Sequence, residues 1–345
     1  VEELFVAFAK KHDRISLYND FVYDDVIVEE NAADMDAVIG SGSLTTPSVN
    51  GGLDNGTVNK GHGETNEQVK GVSEADIIKN DGQYIYISRS AMYGDMYLAE
   101  TTSPDTKVEQ GESELKSNDK FKCTVDIIKP SEKGEFSKIS SISVTCDLEN
   151  LCNMTLVEMY VVKDKLVAFI NCDTNDKNNK NGSWYGYETS TMAVCFDTSD
   201  KGNVKELWRI YQDGSYVSSR LIGEQLVILS EYYVNLNADE EQIIASCIPE
   251  TAINSSDFNR IPCDCICIMS EINDASYLVA STMKLGDSSS LVTKAVLGGG
   301  SNVYCTTETL YVTSSKYESV NVAQEVFGVT EPKTNILKFN ITDSD

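Results

Sequence analysis

The sequence predicts an all-β protein built from repeated units of about four antiparallel strands, and three observations carry that expectation. A short strand, a tight polar turn and a second strand of consecutive apolar or β-branched residues recur four times along the chain. After residue 12 no stretch shows helical periodicity, and the apolar segments are short with polar breaks between them. Only six prolines interrupt 345 residues, so long strands can form without losing ladder donors.

Taken in order, residues 1–39 form a leading segment that opens with a helix. Leu4, Phe5, Phe8 and Ala9 fall at helical spacing, and neither Gly nor Pro occurs before His12. Residues 40–65 are dominated by Gly, Ser, Thr and Asn, which bury too little apolar area to offset their ordering entropy, so a linker is expected there. Residues 66–345 hold the repeats.

The four copies begin at Ile77, Tyr160, Arg220 and Val303 and end at Ile87, Phe169, Leu229 and Val312, and each reads as a hairpin. The first carries Asp81-Gly82, a dipeptide suited to a type I′ turn. Further strands are expected at 121–129, 138–146, 192–197, 204–210, 263–268 and 277–284, which makes about four strands per repeat and about four repeats. The equivalent positions Tyr84, Leu166, Leu226 and Leu310 are 82, 60 and 84 residues apart. That exceeds the ~40 to 50 residues of ordinary propeller repeats. The excess sits in polar inserts at 95–119, 171–186 and 235–259. Such units suit radial blades better than a β-sandwich, which is the alternative.

The net charge of −26 repels phosphates and anionic lipid, which argues against nucleic-acid partners. No apolar run approaches the ~20 residues that span a bilayer, so the chain is not expected to be transmembrane. It begins at Val1 without a signal-like stretch, and a targeting or anchor segment is expected in a longer precursor.

Ten cysteines are sparse and irregular for a disulfide framework. Most read as buried thiols, as suits an organism that avoids oxygen, with Cys123, Cys146, Cys152 and Cys172 nearest in sequence for one or two bridges. Cys263, Cys265 and Cys267 alternate as in a strand, which places all three on one buried face. Their spacing does not suit a zinc site.

Most catalytic chemistry lacks its raw material. Two histidines, His12 and His62, leave no basis for a His-rich metal site or a Ser-His-Asp arrangement, and no Gly-x-Ser-x-Gly elbow occurs. The run from Asp173 to Gly182 is rich in oxygen ligands, but Lys177, Asn178 and Trp184 occupy positions that a calcium loop needs for ligands or glycine. No cofactor is expected, and calcium is the one ion the acidic surface weakly suits. Loop aromatics remain as ligand contacts: Trp184, Tyr185 and Tyr187 in one insert, Tyr232 and Tyr233 at the start of another.

The segment from Glu64 to Gly82 strings together Thr65-Asn66, Gln68-Val69, Gly71-Val72, Glu74-Ala75-Asp76 and Lys79-Asn80-Asp81-Gly82, followed by Tyr84-Ile85-Tyr86. It resembles the opening signature of a secreted bacterial β-propeller domain family, distantly related to WD40-type propellers. Gly214 to Gly223, Val296 to Val312 and Thr334 to Phe339 are similar to later parts of that family, so the resemblance spans roughly 64–340. It implies a propeller scaffold and a secreted or cell-surface location, and it supplies no catalytic residues. Relatives of this kind continue into further blades. A short member, a shortened chain or an open assembly completed by another copy is therefore implied.

Within the signature, Gly71 and Gly82 suit turns, and Glu74 and Asp76 suit capping of backbone N–H groups or pairing with Lys79 or Arg220; with Asp81 they read as structural. The function expected is non-enzymatic binding or scaffolding of a protein or glycan at the cell exterior. The alternatives are a carboxylate-based hydrolase or lyase at the propeller axis and a self-assembling envelope component.

Overall fold

The computed structural model describes residues 1–7, 10, 72–90, 121–131, 133–175, 187–236, 238–269, 275–300, 302–316 and 333–341. Helix α1 covers residues 2–7. Strand β1 (Val72–Ser73) precedes a four-stranded sheet of β2 (Ile78–Asn80), β3 (Ile85–Ser90), β4 (Cys123–Pro130) and β5 (Phe136–Val144), here blade I. Blade II follows with β6 (Leu151–Val162), β7 (Lys165–Asn175), β8 (Tyr187–Asp197) and β9 (Lys205–Asp213).

Blade III opens with β10 (Ser215–Ile222) and β11 (Gln225–Tyr233). The chain then leaves it for helix α2 (Glu240–Ser246), β12 (Glu250–Ile253) and β13 (Asn259–Arg260), and these two strands extend the outer edge of blade II beyond β9. It returns through β14 (Ile266–Ile268), β15 (Ser276–Lys284) and β16 (Asp287–Leu297), where β14 pairs with β16 in parallel. Blade IV holds β17 (Asn302–Cys305), β18 (Thr309–Lys316) and β19 (Lys333–Asn340). The four expected hairpins are β2/β3, β6/β7, β10/β11 and β17/β18. Among the described residues, four separate sheets replace the two of a sandwich.

The blades stack in chain order. Tyr86, Val125 and Ile142 of blade I pack on Leu166, Ala168 and Ile170 of blade II. The alternate residues Val167 and Phe169 face the other way, onto Leu226, Ile228 and Met283 of blade III. Val227 and Leu229 in turn meet Leu310 and Val312 of blade IV. Side chains alternate along a strand, so β7 and β11 bury both faces and read as unbroken apolar runs. In β18, Leu310 and Val312 are buried, whereas Tyr311 between them is only partly buried and lies against Tyr304.

Three expectations are corrected. A helix does occur after residue 12: Asp239 caps α2 through a capping box with Gln242, and Ile243 is buried against Tyr277, so part of the insert at 235–259 is ordered structure. The Asp81-Gly82 turn is not type I′, because only Gly82 has positive φ, at 88°. Asp81 instead accepts the N–H groups of Gln83 and Tyr84, which widens the loop. Cys263–Cys265 form a 3₁₀ turn after Pro262 rather than a strand, and Cys263 and Cys267 are exposed. The linker at 40–65 lies outside the described residues.

Apart from the parallel edge strand β14, strand direction alternates within each blade, so every connection from a second to a third strand of the antiparallel series emerges at one end. The four such connections are the long ones: 91–122, 176–186, 234–275 and 317–332. The short connectors between blades, 145–150, 214 and 298–301, lie at that same end. The opposite end carries tight turns such as 163–164, 223–224 and 285–286. Neighbouring blades share this orientation: Lys163 reaches Glu224 at 3.4 Å across two tight turns, and Trp208 Nε1 donates to Leu285 O at 3.1 Å.

Candidate binding face and axial signature

The signature segment laces the inner edges of three blades. Val72 and Ser73 pair with Ile222 and Leu221 in blade III. Asp76 exchanges both backbone hydrogen bonds with Met159 of blade II, at 3.1 and 2.9 Å. Ile78 to Asn80 then start blade I. Side chains tighten the lacing. Arg220 lies 3.5 Å from Glu74 and donates to Ser219 O at 2.7 Å, and Lys79 Nζ donates to Glu74 O at 2.6 Å. Asp76 Oδ1 accepts the N–H of Ile77 at 2.7 Å.

Three further residues here carry no signal beyond a polar group in an apolar strand. Tyr160 donates its hydroxyl to Ser73 O at 3.2 Å, and Tyr216 donates to Glu158 at 2.9 Å. Burial holds both phenols protonated, raising them above their usual range, and the nearby Glu158 carboxylate adds to the effect. Two carboxylates at these strand edges are therefore engaged, Glu74 with a guanidinium and Glu158 with a phenol.

Asp81 sits at the tight-turn end. Burial would raise its carboxyl, but the N–H groups of Gln83 and Tyr84, the Tyr86 hydroxyl at 2.8 Å and Lys201 at 3.5 Å outweigh burial and hold it below the usual value. Gly71, Trp184 and Tyr185 lie outside the described residues, and Tyr187 opens β8.

At the loop-bearing end, the two tyrosines that close β11 diverge. Tyr232 turns inward, donating to Ser246 O at 2.6 Å and packing on Tyr277, whereas Tyr233 is 62% exposed. Beside them, Asp213 accepts the N–H of Glu250 at 2.8 Å. Burial pushes its carboxyl up to about 7, and the Glu250 and Glu188 carboxylates push the same way. Gly214 follows with φ of 94°, and a Cβ there would meet Glu231 O at 2.5 Å, so only glycine passes this bend. Asp173 is held within the strands by Thr189 at 2.7 Å and Asn153 at 2.9 Å rather than turned into a loop site.

A cleft of about 370 Å³ lies between β5 and the 198–204 turn, lined by Ser140, Ser141, Ser143, Phe196, Asn203 and Glu206. Two of its hydroxyls already donate within the protein, Ser140 to Lys201 O and Ser141 to Asp126. It lies between a strand and a turn of the opposite end, away from the long connections.

No curated protein and no solved structure matches the chain. A family model described as a beta propeller domain matches residues 62–345, which begins just before the lacing segment and takes in all four blades. The chain belongs to the beta propeller domain family.

Proposed function

We propose that this chain is a non-enzymatic binding or scaffolding propeller of the cell exterior, and that it contacts a protein or glycan with the end bearing the long connections. The observation that carries the reading is topological: all four long connections leave the same end of the blades, while the connections between strands at the other end are of seven residues or fewer. A rigid scaffold that presents loops on one side is the arrangement in which binding residues concentrate. Tyr233 stands at that end with most of its ring in solvent. The exterior location rests on the resemblance of the 64–82 segment to a secreted family.

The test is a glycan and peptide array probed with the full chain, with and without calcium. A retained ligand whose signal falls at least about tenfold in Tyr233→Ala, and is unchanged in the tight-turn variant Lys163→Ala, supports the reading. Uniform silence, or equal loss in both variants, overturns it. Cleavage of an arrayed glycan would instead support the hydrolase alternative.

A further inference from the structure

The outer edges of the blades are not alike. In blade II the fourth strand, β9, is covered by β12, with Thr251 paired to Gln212 and Ile253 to Ile210. In blade III the fourth strand, β16, is covered by β14, with Ile266 paired to Ala295 and Ile268 to Leu297. In blade I the fourth strand, β5, is the last of its sheet, and among the described residues no strand pairs with its outer side. It is nine residues long, with Phe136 68% and Ile139 41% exposed. Such an edge presents a row of outward N–H and C=O groups, which is a template for another strand.

The cleft of about 370 Å³ runs along this edge. One wall is Ser140 to Ser143 of β5, and the other includes Phe196, Asn203 and Val204 of blade II. The Ser140 hydroxyl donates to Lys201 O at 2.5 Å, which holds the 198–204 turn beside the strand. The Ser141 hydroxyl donates to Asp126 at 2.6 Å, and Lys138 lies 2.8 Å from the same carboxylate. These side chains are engaged within the protein, so the backbone of β5 is the surface left to recognise a ligand. A strand laid beside β5 would send every second side chain toward Phe196 and Val204.

We propose that an extended segment of a partner protein adds to blade I along the outer edge of β5, as a fifth strand seated in this cleft. The segment carries β-branched apolar residues at alternate positions, which enter the cleft, and basic residues on either side of them. Strands β12 and β14 show the kind of occupant such an edge takes: each is a strand of four or three residues laid on the outer edge of a blade, one antiparallel and one parallel. Main-chain hydrogen bonds supply the affinity and the cleft selects the alternate side chains. The net charge of −26 attracts a basic segment and opposes a second copy of this chain at the same edge. The cleft lies away from the long connections, so this site stands or falls separately from the binding end proposed above.

The probe is a synthetic peptide of alternating Thr and Val with two Lys at each end, titrated into the wild-type full chain. Saturable binding tighter than about 1 mM is expected, weakened at least about tenfold when alternate backbone nitrogens of the peptide are methylated, because the side chains stay and the donors go. Amide exchange between Ser137 and Ser143 should be fast at the outward positions of the free chain and slowed by the peptide. The variant Asn203→Trp, which fills the cleft from an exposed turn, should weaken binding at least about tenfold, and Lys163→Ala should leave it unchanged. Absence of binding, or equal binding of the methylated peptide, overturns the proposal. So does slow outward exchange in the free chain, which would mean that the chain covers this edge itself. Equal binding when Glu replaces the terminal Lys residues overturns the basic character of the segment. The comparison of the two peptides needs no variant to fold.

Discussion

Asp81 shows how much a single side chain organises at residue scale. Its two oxygens receive two backbone N–H groups and the Tyr86 hydroxyl, so Asp81→Ala leaves three donors without their acceptor. A loss of about 1–3 kcal/mol in urea unfolding at pH 7 is expected. Because the folded carboxyl is held below its unfolded value, that stability is present above about pH 4 and disappears as pH falls through the lower folded value. The gap between wild type and Asp81→Ala should therefore narrow as pH falls below about 4. Asp213 has the opposite sign. Its folded carboxyl is raised to about 7, so the stability it contributes is full below about pH 4 and is lost as pH rises through 7. Asp213→Asn keeps an acceptor for the Glu250 N–H and carries no charge. It should melt higher than wild type at pH 8 and the same at pH 4, by an amount on the order of 1 kcal/mol. Equal melting at pH 8 would show that burial, with Glu250 and Glu188, does not penalise the charged Asp213.

At the scale of elements, the connection from β9 to β10 depends on one glycine. Gly214→Ala places a Cβ against the Glu231 carbonyl in a conformation that L residues rarely adopt. It should cost at least about 2 kcal/mol, measured by thermal unfolding, with strands β10 and β11 exchanging amide hydrogens first. The lacing segment makes a second case. Arg220→Ala removes the partner of Glu74 and the bond to Ser219 O, so faster exchange at the Val72 and Ser73 amides is expected than in wild type. Much of this level was legible beforehand. Leu166 to Ile170 read as a continuous apolar run because β7 is covered on both faces, and the hairpins follow from that pattern. The capping box at Asp239 was equally visible but lies inside a polar stretch whose apolar positions, Ile243 and Cys247, find their partners in Tyr277, thirty residues on. The cysteines at 263–267 misled because Pro262 sets a 3₁₀ turn that their alternation does not reveal.

For the whole molecule, the excess of 54 acidic over 28 basic residues sets the response to salt. Self-repulsion at net −26 is screened as the Debye length falls from about 30 Å at 0.01 M to about 10 Å at 0.1 M. Melting temperature should therefore rise with sodium chloride over that range, and a fall would mean that ion pairs such as Arg209 with Glu206 and Asp147 dominate.

The strand-turn-strand repeats, their number and the family could be read from residue order alone, because hydrophobic period and turn residues act over a few neighbours. Only the tertiary structure decided which end of the blades carries every long connection, and how residues 72–80 tie three blades together. It also decided which of the ten cysteines are buried and which, Cys263 and Cys267, are exposed. Those facts rest on contacts between residues far apart in the chain, Ser73 with Leu221 and Asp76 with Met159 among them, and no local pattern encodes a partner at that distance.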